Sequence, residues 1–216
     1  AFHQSEYINV NSTHVTECLW DYPRFQSTLS IARPYGWVFG IPLIGRCSIG
    51  YMYNNTINTL EEVKEDVKYI FNKYNLTPST KTTTFSFKNY MRKKNYDGRI
   101  AYNGNASFFL EPLEASSVGV MDHIQRGAYD LWNGYSTEEK VNADYNNFLR
   151  KIETFITMHY LESPFNTPFW DFAKERAHKR FSHIHDDPQF IKFYNKAVSA
   201  NVIPVSYTHL TLPTIL

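Results

Sequence analysis

The chain has 216 residues, with 22 lysines and arginines against 21 aspartates and glutamates, and aromatic rings at 17% of positions. A net charge of +1 argues against a nucleic-acid or anionic-membrane binder, and a hydrophobic fraction of 43% argues against a disordered chain. So many rings suit either a flat, apolar ligand or an aromatic core.

In chain order, "STLSIARP", "GWVFGIPL" and "RCSIGYMYN" predict short antiparallel strands, punctuated by Pro34, Gly36, Pro42 and Gly45. A helix follows at 59–74. Thr59 caps it and Glu62 completes a capping box, while Leu60, Val63, Val67, Ile70 and Phe71 form one apolar stripe. Thr-rich alternation predicts a strand over 81–88, and "GRIAYN" another over 98–103. After Glu114 the spacing turns helical through Val120, Met121, Ile124, Ala128, Leu131 and Trp132, until Gly134 breaks it. Ser136 and Glu139 then predict a capped helix whose apolar side runs from Val141 to His159, and further helices are expected at about 165–180 and 187–200.

Strands first and helices later predict an α+β fold, with a mainly β region over 1–113 and a helical region over 114–204. Residues 205–216, "VSYTHLTLPTIL", have neither cap nor helical period and resemble a reading frame of a sequencing-library adapter. They are expected to be a cloning scar and are set aside. The chain opens on Ala1 in mid-pattern, so it is expected to be a fragment. Cys18 and Cys47 show no CxxC spacing or disulfide framework, which suits a reducing cytoplasm. No apolar run reaches the ~20 residues that span a bilayer.

Chemistry concentrates at residues 103–120. Gly104 allows close approach to backbone in a turn, or is an ordinary turn glycine. Pro112 stiffens the loop before a helix that begins near Ala115 to Ser117, and its first amides lack intrahelical acceptors. With the helix dipole they can hold an anion, unless Glu114 or Ser116 simply caps the helix.

"GNASFFLEPLEASSVG", Gly104 to Gly119, resembles the Gly-Asn…Glu-Pro-Leu-Glu segment of the tryptophan-halogenase-like, flavin-dependent halogenases. "GWVFGIP", Gly36 to Pro42, is similar to their Trp-x-Trp-x-Ile-Pro signature, with Phe39 for the second Trp. "HYLESPFNTPFW", His159 to Trp170, resembles their late His-Tyr…Thr-Pro-Phe-Trp segment, one residue short and without the usual Arg.

The resemblance implies part of a flavin-monooxygenase-like, FAD/NAD(P)-binding fold. It implies an enzyme that uses reduced FAD and O2 to turn chloride or bromide into hypohalous acid, which halogenates an electron-rich indole, phenol or pyrrole. A separate flavin reductase would supply the reduced cofactor. Glu114 would be the catalytic carboxylate, and the Ser116 and Ser117 amides would hold the halide. Gly104 and Asn105 would meet the flavin; Trp37 and Phe39 would line the passage between flavin and substrate, and Phe169 and Trp170 would help wall the substrate pocket. A flavin-dependent aromatic monooxygenase and a non-catalytic aromatic-ligand binding fragment are the alternatives.

No GxGxxG follows a strand, and in the family both that fingerprint and the catalytic lysine come earlier. Neither Lys93 nor Lys94 is therefore nominated, and this chain alone is expected to be inactive. His178, His183, His185, Asp186 and Asp187 match no common zinc spacing and read as solvated helix-end residues, so no metal is expected. No G-x-S-x-G elbow supports a hydrolase.

Overall fold

A computed structural model describes residues 1–183 and 191, apart from the side chain of Glu114. Residue 191 apart, the helix expected at 187–200 lies outside the described residues, as do the segment 205–216 and the group His185, Asp186 and Asp187. The architecture is α+β. In chain order its strands are β1 (Phe2–His3), β2 (Ser12–Leu19), β3 (Leu29–Arg33), β4 (Gly36–Leu43), β5 (Arg46–Tyr53), β6 (Thr77–Ser86), β7 (Tyr90–Arg92), β8 (Tyr96–Asp97), β9 (Ile100–Ala101) and β10 (Phe108–Phe109). The helices are α1 (Leu60–Lys73), α2 (Ser116–Trp132), α3 (Glu138–Met158) and α4 (Pro168–Ser182). They form two compact units, one from residues 1–8 and 88–158, the other from 9–87 and His159 onward. Each unit joins strands from before residue 113 to helices from after it, α2 and α3 in the first and α4 in the second, which also holds α1.

The second unit is built on an antiparallel sheet in the order β3-β4-β5-β2-β6. Strand alternation sends Val38, Ile49, Tyr51 and Cys18 to one face, where Val63, Val67 and Ile70 of α1 close the core over them. The helix starts as its residues dictate: Thr59 Oγ1 accepts from Glu62 N at 3.2 Å and Glu62 Oε2 accepts from Thr59 N at 2.7 Å. Cys18 and Cys47 are buried cross-strand neighbours, neither in a disulfide. Strand β2, the second from the edge, is polar yet buried, because its side chains find partners across the sheet. Ser12 and Ser86 hydroxyls meet at 2.9 Å, and His14 Nδ1 meets Thr84 Oγ1 at 2.7 Å.

The first unit has a small sheet in the order β1-β7-β10, a hairpin β8-β9, and helices α2 and α3 packed together. The strand expected over 98–103 is instead this hairpin: Gly98, at φ +58°, makes the turn and only Ile100–Ala101 pair. The cap of α3 also moves, from Ser136 to Thr137, whose Oγ1 accepts from Lys140 N at 3.3 Å. His159 lies in the turn after α3 rather than on its apolar face. None of the described helices is long and apolar enough to cross a membrane.

Candidate functional site

In the first unit the chain leaves β9, caps a short 3-10 turn with Asn103 and continues into β10. Asn103 Oδ1 accepts from Gly104 N at 2.8 Å, and its Nδ2 donates to Met121 O at 3.4 Å, tying the turn to α2. Gly104 sits at φ +53°, in the left-handed region, and a Cβ there would meet only the Met121 methyl at 3.8 Å. Glycine is required by backbone conformation and not by crowding, so the turn leaves open space. Asn105 is exposed. Two side chains of β7 grip the turn from outside: Tyr90 OH donates to Asn105 O at 2.7 Å and Arg92 Nε to Ala106 O at 2.8 Å. The Arg92 guanidinium lies 3.4 Å from the Tyr102 ring centroid, which fixes its fork.

Leu110, Glu111 and Leu113 are buried, with Glu111 at 2% exposure, and Leu113–Ala115 form a second 3-10 turn. The Glu114 backbone lies in that turn. Ala115 follows at φ 49°, ψ 27°, one of two non-glycine residues at positive φ among those described. A left-handed alanine costs roughly 1–2 kcal/mol. This kink breaks the 3-10 turn from α2, which begins at Ser116 with no side-chain cap and no acidic residue in its first turn. Neither serine acts as a cap, and the simple capping role open to Ser116 is not taken up. The Ser116 amide is engaged all the same, closing the 3-10 turn on Leu113 O.

A buried polar network stands behind this corner. Ser107 Oγ donates to Asn95 Oδ1 at 2.6 Å and meets Tyr145 OH at 2.9 Å. Asn142 Oδ1 accepts from Asn95 N and Tyr96 N at 2.7 and 3.0 Å, and its Nδ2 donates to Tyr96 O at 2.9 Å. Tyr96 OH reaches Ile124 O at 3.0 Å, packed on Gly127, where a Cβ would stand 2.4 Å from the hydroxyl. Burial pushes the Tyr96 phenol up to about 12 and raises Tyr145, so both remain donors. Lys94 pairs with Asp97 at 2.7 Å and Glu138 at 2.8 Å, an exposed ion cluster that anchors the β8-β9 hairpin.

In the second unit Trp37 and Phe39 share the sheet face turned away from α1, their centroids 6.2 Å apart and tilted by 58°. Trp37 is buried and Phe39 half-buried. Phe169 and Trp170 are buried against Tyr160 and each other, and Trp170 Nε1 donates to Arg33 O at 2.8 Å. Thr167 Oγ1 donates to Pro34 O at 2.6 Å, so the Thr-Pro-Phe-Trp segment fastens α4 to the β3-β4 turn. Arg33 is itself clamped by Asp66, whose carboxylate takes its Nε and Nη2 at 2.9 and 2.6 Å and also accepts from Tyr51 OH at 2.9 Å. Among the described residues, no three His, Cys, Asp or Glu side chains gather as a metal site.

The family profile described as tryptophan halogenase matches residues 5–197. The chain belongs to that family. It is 29% identical over 157 residues to tryptophan 7-halogenase RebH of Lentzea aerocolonigenes, covering 68% of this chain and 28% of that protein. Among solved structures, a tryptophan halogenase from Shewanella frigidimarina aligns over 82% of this chain and 36% of its own, at TM-score 0.69 and 21% identity. Xcc4156, a flavin-dependent halogenase from Xanthomonas campestris, aligns over 85% of this chain and 39% of its own, at TM-score 0.67 and 19% identity. The chain thus spans under a third of the curated halogenase it matches.

Trp37 and Phe39 lie on a strand, Gly104 in a turn, Ser116 and Ser117 at a helix start and Phe169 and Trp170 on a helix, as expected. Glu114, however, lies in a 3-10 turn and not in a loop, and the supports around these residues were not expected. Tyr90, Arg92 and Asn142 hold this corner of the chain through backbone carbonyls and amides, and nothing in the residue pattern singles them out. The buried Glu111 had a visible signal, a carboxylate followed at once by Pro112 within an apolar run.

Proposed function

We propose that this chain is part of a flavin-dependent halogenase that halogenates an electron-rich aromatic ring of the indole, phenol or pyrrole type. The carrying observation is the start of α2. A helix N-terminus with no side-chain cap, small residues in its first turn and no acidic side chain there is chemically ready for an anion. The left-handed Ala115 aims this terminus, and Glu114 is held one residue before it.

Chloride or bromide would be held by the Ser117 amide, with the Ser116 amide shared between the ion and Leu113 O. Gly104 and Asn105 fit a flavin because the turn offers backbone without a Cβ and an exposed amide side chain. Bound reduced flavin would supply, with O2, the two-electron oxidation that makes a halide electrophilic, and a separate reductase would deliver it. Glu114 would polarise the oxidant or accept the proton lost from the ring. Phe39 would offer the substrate an aromatic surface, and Phe169 and Trp170 would fix the β3-β4 turn from which its strand starts.

The test is Glu114→Gln in a full-length protein containing this chain, assayed with a flavin reductase and bromide. Halogenation should fall by about 100-fold or more while flavin oxidation continues, the scale expected for loss of a general acid or base. Unchanged halogenation would remove Glu114 from the mechanism.

A further inference from the structure

On the sheet face that carries Trp37, cover declines row by row. Trp37 and its partner Met52 are buried; Phe39 is half-buried; Ile41 is 42% exposed. Phe39 is therefore the last ring of the covered part and the first that a ligand on the open part would touch. Directly across from it in the register stands Gly50. The Phe39 ring lies down on that glycine: a Cβ at 50 would stand 2.0 Å from Cζ, 2.3 Å from Cε1 and 2.6 Å from Cε2. All three approaches are far inside van der Waals contact, so no side chain at 50 is compatible with this ring position. Strand β5 is central in the sheet, where glycine weakens pairing, and its φ needs no glycine. The ring is what requires it.

We propose that Gly50 is a specificity-determining position for the aromatic substrate, acting through Phe39. With hydrogen at 50 the ring lies flat and leaves a shallow, open aromatic surface. With any larger group the ring must lift and occupy the space the substrate would use. The surface suits a flat bicyclic ring such as indole better than a single ring, because stacking contact grows with ring area. This rests on the reading above that this face meets the substrate. Gly50 itself is a positioning residue.

The experiment compares wild type, Gly50→Ala, Phe39→Leu and the double variant of a full-length protein. It measures bromination kinetics and, independently of turnover, indole and phenol affinity by equilibrium dialysis. Each single change should raise the indole KM and Kd roughly three- to tenfold, as expected for losing an aromatic pair, with a smaller rise for phenol and kcat nearly unchanged. The double variant should be no worse than the weaker-binding single, because both act on one ring. Should Gly50→Ala fail to fold, the double variant, in which the clashing ring is gone, should fold and bind indole as Phe39→Leu does; a double variant that also fails to fold overturns the proposal. Unchanged indole affinity in either folded variant, or additive losses in the double, overturns the proposal. A wild type that binds indole but never brominates it strikes at the halogenase reading instead, while the Gly50 assignment still stands on the shift in affinity.

Discussion

The two units hold their candidate residues by different means. In the second, Trp37 and Phe39 ride on β4, paired to β5 without interruption from Gly36–Tyr53 to Leu43–Arg46. Alternation alone aims them, and many neighbours share the burden of keeping them there. In the first, the turn at Gly104 joins two strands of two residues each, and the start of α2 follows the second of them through another 3-10 turn. They are positioned by side chains that bond backbone, Asn103, Tyr90 and Arg92 at the turn itself and Asn142 at the neighbouring Asn95 and Tyr96. A long register tolerates single losses; a polar brace concentrates its function in a few atoms.

The largest expected effect tests that brace. Asn142→Leu keeps the branched shape but leaves the buried Asn95 and Tyr96 amides without their acceptor. The cost should be about 3 kcal/mol, read as a lower urea midpoint at unchanged m-value. A loss within experimental error would show that water replaces the brace.

Next comes a pair of glycines in the same helix with opposite signs. Gly119→Ala meets nothing within 4 Å and should stabilise by about 0.5–1 kcal/mol through helix propensity. Gly127→Ala should destabilise by roughly 1–3 kcal/mol, because the new methyl displaces the Tyr96 hydroxyl. Adding Tyr96→Phe should recover part of that loss. Equal effects at the two positions would mean that α2 does not sense its packing at 127.

The smallest effect compares one histidine from each unit. Burial holds both His14 and His123 below their ordinary value of 6.5; Lys64 adds to it at His14, while His123 is stacked on Phe148 at 4.2 Å. Each group takes a proton more readily in the unfolded chain. Stability should therefore be flat above pH 6.5 and fall as pH drops below it. The thermal midpoint of His14→Asn or His123→Asn should fall less steeply with acid than that of the parent. A slope unaltered in both would place the acid sensitivity on other groups.

Much of the second unit was legible. The capping box at Thr59 and Glu62, the α1 stripe and the strands β3, β4 and β5 follow from short-range rules and were expected where they stand. Strand β2 was not, because Ser12, Thr13, His14, Thr16 and Glu17 look like a surface loop until β6 supplies their partners. The strand expected over 81–88 begins earlier, at Thr77, after a register shift opposite Thr16 and Cys18 lets Pro78 pair. At the candidate site the helix start was expected within a residue. The left-handed Ala115 and the engaged Ser116 amide were not, since neither residue type announces such a conformation.

By itself the amino-acid order determined the class of fold, the family and the residues worth testing, because periodicity, capping and short motifs act over neighbours a few positions apart. Tertiary structure decided which polar residues are buried, which glycines are obligatory and how the start of α2 is aimed. Those depend on groups far apart in the chain: Asn142 meeting Tyr96, Tyr90 meeting Asn105, Phe39 lying on Gly50. Such pairs leave no trace in local sequence, because each partner is ordinary until the other arrives.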